Sequence, residues 1–203
     1  MTRYLAHAFG LEHPKESGVV SLGFLPEGAR LELLRQCLSE TIPAIQSDMT
    51  IDGAGLSVDL NYHPDLTDKC AMGAYWTQGR ELDGLDFQSL RDAWSGCSKV
   101  EKGVFEFLTC PYMSAHTDES RHDHAQIGSI AIVLDAPLGC NLLVNWNQIY
   151  SASLGEILLI NDEALHAAYP VQAGSSLNGT RDQQVIEGRC MSFLLINSYD
   201  TDY

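Results

Sequence analysis

The chain has 203 residues, 45% of them hydrophobic and 19% charged, which is the balance of a globular protein long enough for one sizeable core. Its formal net charge is −15 with a pI near 4.6, and only 12 Lys and Arg are available. That argues against a nucleic-acid partner, because phosphate binding needs a basic face. No run approaches the ~20 apolar residues of a membrane span, so no membrane role is expected.

Six cysteines are scattered with no Cys-x-x-Cys, which reads as buried thiols in a reducing compartment. Residues 1–7 lack the apolar segment of a secretory leader, so the expected location is cytoplasmic. Without a repeat, a low-complexity tract or a linker, residues 1–203 read as one domain. About 1–98 form a mixed N-terminal support and about 99–203 the core.

In chain order, residues 1–25 are loops with one good strand candidate, Val19-Val20-Ser21-Leu22. A helix follows over about 27–45. Leu31, Leu34, Leu38, Ile42 and Ile45 recur there at spacings of three and four, and Pro43 should bend or end it. Glycines and Pro64 break residues 48–84 into short pieces, among which residues 56–60 alternate like a half-buried strand. Residues 86–94 read as a short helix with Phe87, Leu90 and Trp94 on one side. From Lys99 onward, strand-like runs alternate with turns, the pattern of a sandwich or barrel. The runs are 104–108, 128–135, 141–144, 154–160, 166–171 and 188–196.

The chemistry centres on Ala115-His116-Thr117-Asp118. On an extended backbone, residues two apart point to the same face, so His116 and Asp118 present an imidazole and a carboxylate side by side. These are two thirds of the 2-His-1-carboxylate facial triad that holds iron(II) and leaves open positions. His166, after the apolar run 155–160 and the turn-like Asn161-Asp162-Glu163, supplies the missing imidazole. In a chain with seven histidines one His-x-Asp is unremarkable, and the bland reading is surface polar residues on an ordinary β domain. His122 and His124 form a rival same-face pair, able to serve a second or zinc-type site. Their polar surroundings read instead as a mouth loop, with Arg121 and His122 touching substrate. Tyr112, Trp146 and Tyr150 either line a pocket or belong to the core.

The whole order of residues 104–197 resembles the catalytic half of the iron(II)/2-oxoglutarate-dependent oxygenases. In that family His-x-Asp, a distal His and a later basic residue sit on a double-stranded β-helix. The resemblance implies a mainly β jelly-roll, cupin-like barrel with N-terminal helices packed on the sheet. It implies Fe(II) held by His116, Asp118 and His166, with 2-oxoglutarate and O2 as co-substrates. It further implies a hydroxylase that decarboxylates 2-oxoglutarate to succinate and CO2 while oxidising its substrate. A buried carboxylate needs a fixed cation, and Arg189 on the last run is that residue, with Arg181 as fallback. The chain departs from the family pattern in two places. Arg189 follows His166 by an unusually long interval, through a polar insert at 172–187 that reads as a loop or lid. Met191 stands where a Ser or Thr often follows the basic residue. Asp118 favours hydroxylation over halogenation, because the halogenating branch replaces that carboxylate.

The expected substrate is a small molecule such as an amino acid or biosynthetic intermediate, with a protein side chain as the alternative. Oligomeric state is open. Two rivals remain: a cupin-like metalloenzyme without 2-oxoglutarate, which has no need of Arg189, and a non-enzymatic β-sandwich that binds a partner.

Overall fold

The computed structural model describes residues 9–10, 18–48, 75–76, 88–99, 103–110, 113–117, 128–145, 147–161, 164–171 and 191–198. Strand β1 (Val19–Phe24) leads into helix α1 (Glu27–Asp48), and a two-residue strand β2 (Tyr75–Trp76) precedes the short helix α2 (Gln88–Ala93) and a 3-10 turn (Ser95–Lys99). Eight strands follow: β3 (Gly103–Cys110), β4 (Met113–His116), β5 (Ser129–Asp135), β6 (Cys140–Val144), β7 (Gln148–Ala152), β8 (Glu156–Ile160), β9 (His166–Tyr169) and β10 (Met191–Ser198). They build two sheets, β1-β8-β5-β10-β3-β2 and β4-β9-β6-β7, with antiparallel pairing throughout. From β3 onward the chain passes back and forth between the sheets, which makes the barrel a double-stranded β-helix.

Alternation along the strands sorts side chains into two cores. On β8, Leu158 and Ile160 join the cluster between the sheets, whereas Ile157 and Leu159 join the cluster under the helices. On β5, Ala131 and Val133 face the interior, and Ile130, Ile132 and Leu134 face outward to Leu33, Cys37, Leu90 and Trp94. Both faces of the six-stranded sheet are therefore covered, which is why its central strands read as unbroken apolar runs. Phe9 stacks on Trp94 with ring centroids 5.8 Å apart, pinning the early chain to this outer core.

The predicted strands at 104–108, 128–135, 141–144, 154–160, 166–171 and 188–196 correspond to β3, β5, β6, β8, β9 and β10, with ends shifted by a few residues. Helix α1 differs in two respects. It runs through Pro43 to Asp48 rather than ending there, because one missing N–H removes a single rung and the next turn resumes. Its buried positions are Arg30, Leu33 and Cys37, while Leu31 is 48% exposed and Leu34 and Leu38 lie at the margin. Arg30 reaches over the sheet to donate to the Leu134 carbonyl, while Leu34 and Leu38 pack against the outer core from its edge. The proposed strand at 56–60 and the insert at 172–187 lie outside the described residues. Among the described residues, no helix is long and apolar enough to cross a membrane.

Cys37, Cys97 and Cys140 are buried thiols rather than disulfides. Burial pushes Cys37 and Cys140 up to about 12, with the Glu156 carboxylate adding to the effect at Cys140. A folded-state value above the unfolded one means that the stability contributed is complete below the ordinary thiol range and lost as pH rises through about 12. Alkylation followed by peptide mapping at pH ~8 is expected to leave both thiols unmodified in the native chain and to modify both in denaturant.

Candidate metal centre

The register of the four-stranded sheet brings the two candidate histidines together. β4 pairs with β9 so that His116 stands opposite His166, and their rings lie 4.4 Å apart between centroids at 55°. His166 is 5% exposed and His116 is half-buried. On the other side of β9, Val144 of β6 pairs with His166, and Gln148 of β7 pairs with Val144. One cross-strand row therefore reads Gln148, Val144, His166, His116 from edge to edge. Val144 belongs to the interior cluster, which fixes this row on the barrel's inner face.

Backbone contacts hold the start of β9. Asn161 donates its N–H to the Gly18 carbonyl at 2.9 Å, Ala164 donates to Asn161 at 3.0 Å, and Asn145 donates to Leu165 at 2.8 Å. Asn145 adopts a left-handed φ of 51°, which Asn tolerates better than most residues. Gly18, at φ +65°, lies so close to β6 that a Cβ there would fall 2.0 Å from Val144 Cγ1. The turn before His166 is thus tied to β1 on one side and to β6 on the other.

His166 Nδ1 lies 2.9 Å from the Ala164 carbonyl oxygen. A carbonyl only accepts, so Nδ1 carries the proton in this contact. Two imidazoles side by side are donors of the kind that fit a divalent transition metal. Among the described residues no group of three His, Cys, Asp or Glu converges, and Asp118 lies outside them. Arg189, Arg181, Tyr112, Arg121, His122, His124 and Trp146 also lie outside the described residues.

Tyr150 belongs to the core. It packs against the interior cluster, and its hydroxyl donates to Glu156 Oε1 while Glu156 Oε2 accepts the Ser153 N–H at 2.9 Å. Burial, then the bond to Glu156, raises the Tyr150 hydroxyl above its ordinary range. The bond ties the edge strand of one sheet to the other sheet, at the end of the barrel away from the histidines. Sequence reading missed this pair, although a single Glu opening an apolar strand was the signal, because a buried carboxylate requires donors. Tyr150→Phe is expected to lower stability by about 1 kcal/mol in a urea titration, since one carboxylate oxygen loses its donor.

No protein-family model and no curated protein sequence matches the chain. Among solved structures it is similar to EvdMO1, at 11% identity over 97% of this chain and 50% of that longer one, with a TM-score of 0.53. It is also similar to a prolyl-4-hydroxylase from Pseudomonas putida, at 14% identity over 97% of this chain and 100% of that one, with a TM-score of 0.48. A third is an oxidoreductase of the 2OG-Fe(II) oxygenase family from Burkholderia pseudomallei, at 15% identity over 95% and 88% of the two chains, with a TM-score of 0.42. The likeness to EvdMO1 is one of shared fold.

Proposed function

We propose that this chain is an iron(II)- and 2-oxoglutarate-dependent oxygenase that hydroxylates a small molecule such as an amino acid or biosynthetic intermediate, working in the cytoplasm. The observation that carries the reading is the pair His116 and His166, opposed across β4 and β9 on the inner face of a double-stranded β-helix. His116, Asp118 and His166 would hold the metal, with Asp118 following His116 by two residues. Iron(II) with 2-oxoglutarate supplies the activation of O2 for substrate oxidation when bound. The chain's own contributions are simpler. His166 is held in one tautomer by the Ala164 carbonyl. Val144, Leu142, Ala168, Leu158 and Phe193 give an apolar interior that keeps water from the oxidising centre. Arg189 would pair with the remote carboxylate of 2-oxoglutarate. Anaerobic addition of iron(II) and 2-oxoglutarate is the test: a weak visible charge-transfer band is expected, and binding of iron without that band would reject 2-oxoglutarate as the co-substrate.

A further inference from the structure

We propose that Asn145 is a positioning residue for His166: its left-handed backbone, where β6 ends, holds the Leu165 carbonyl and so fixes the peptide that anchors the imidazole. The assignment rests on the oxygenase reading of the histidine site. Among the described residues Asn145 is the only one other than glycine with a left-handed φ, at 51°. Such a conformation is disfavoured for a residue with a Cβ and persists where the surrounding bonds over-determine it. Those bonds lead to β9.

Val144 pairs with His166 across β6 and β9, so Asn145 and Leu165 form the next antiparallel position. Asn145 donates its N–H to the Leu165 carbonyl at 2.8 Å. The left-handed φ then carries the chain off β9 into the turn to β7, in which Asn147 donates to the Val144 carbonyl at 3.4 Å. Asn145 is thus the point where β6 lets go of β9, and its bond falls one residue before His166. Its side chain lies against the residue that precedes β1: Nδ2 is 3.4 Å from the point where a Cβ on Gly18 would stand.

The ring is anchored on the Ala164 carbonyl, 2.9 Å from Nδ1. That carbonyl belongs to the peptide between Ala164 and Leu165, and bonds on either side of the peptide restrict how it can turn. Upstream, the Ala164 N–H is held by the Asn161 carbonyl, and the Asn161 N–H by Gly18. Downstream, the Leu165 carbonyl is held by Asn145. A residue that resists positive φ strains the chain at position 145, and the adjoining bond to Leu165 is the nearest contact to take up that strain. The peptide is then clamped from one side only, and the ring bonded to it can swing. Hydrogen bonds on the outer side of a ligating imidazole fix its orientation. Asn145 acts one bond further out than Ala164, through the backbone. A residue that served the β6–β7 turn alone would affect stability and leave the ring as it is.

The test uses the full chain and reads two quantities at a temperature where every variant is folded. One is anaerobic iron(II) affinity by equilibrium dialysis. The other is nitrogen NMR of the isotopically labelled imidazoles in the metal-free chain, where a bonded His166 Nδ1 proton exchanges slowly with water. Asn145→Val places a β-branched residue where positive φ is an outlier. It is expected to speed that exchange and to weaken iron binding about three- to tenfold, less than the ten- to hundredfold typical of losing a direct outer partner. Asn145→Gly keeps the conformation without steric cost and is expected to match the wild type in both readings. Tyr150→Phe, a core change at the other end of the barrel, is expected to lower the thermal midpoint and move neither reading. Should the valine variant fail to fold, Asn145→Ala carries the same expectations in smaller measure. A folded variant with a lowered midpoint but wild-type iron affinity and proton exchange overturns the assignment. So does an Asn145→Gly chain as weakened as the valine one. Absence of iron binding in the wild type would instead overturn the oxygenase reading, and proton exchange in the metal-free chain still decides whether Asn145 holds the ring.

Discussion

With His166 as the proposed iron ligand, His166→Ala is expected to lower iron(II) affinity by more than about a hundredfold, because loss of an outer partner alone typically costs ten- to a hundredfold and a direct ligand costs more. The ring is fixed from two directions: its Nδ1 is bonded to the Ala164 carbonyl, and β9 is held between β4 and β6. Truncation leaves β9 paired through its backbone to His116 and Val144, so the fold is expected to survive. Anaerobic equilibrium dialysis with circular dichroism on the same sample separates the two effects. A variant that keeps its far-ultraviolet spectrum and still binds one equivalent at wild-type affinity would remove His166 from the metal site, and His122 and His124 would be tested next.

If Arg189 anchors 2-oxoglutarate as proposed, Arg189→Met is expected to raise the 2-oxoglutarate dissociation constant roughly tenfold to a hundredfold with iron affinity little changed. The reasoning is electrostatic. A carboxylate inside an apolar barrel loses its hydration, and a guanidinium restores it with charge-assisted hydrogen bonds worth about 1.5–3 kcal/mol. Methionine preserves much of the length and none of the charge. Calorimetry against an anaerobic metal-loaded sample gives the constant directly. An equal loss in Arg181→Met, with no effect at 189, would place the anchor there.

The central strands were legible because buried strands need apolar residues on both faces. β5 and β8 stand out as the runs Ile130-Ala131-Ile132-Val133-Leu134 and Ile157-Leu158-Leu159-Ile160. β7 was not legible: Gln148-Ile149-Tyr150-Ser151-Ala152 forms an edge, has mostly exposed side chains, and shows no apolar alternation. The helix was legible but its orientation was not. The most buried side chains described on it are Arg30, Leu33 and Cys37, and the Arg30 bond to the Leu134 carbonyl cannot be read from an apolar stripe. The histidine pair was readable from order, since His166 follows an apolar run and a turn several strands after His116. The Ala164 contact that sets its tautomer was unreadable, because a backbone carbonyl leaves no trace in residue identity.

The near-collision of Gly18 with Val144 has a consequence for anyone evolving this barrel. Gly18 variants scored as inactive in a single-site library would look like losses of function, although their cause is steric. Val144→Ala removes the methyl group that a Cβ at position 18 would strike, so the two positions are epistatic and should be randomised together. The positive φ restricts acceptable replacements to Asn and Asp. Such paired variants would reshape the wall beside His166 through the scaffold, without altering the histidine itself.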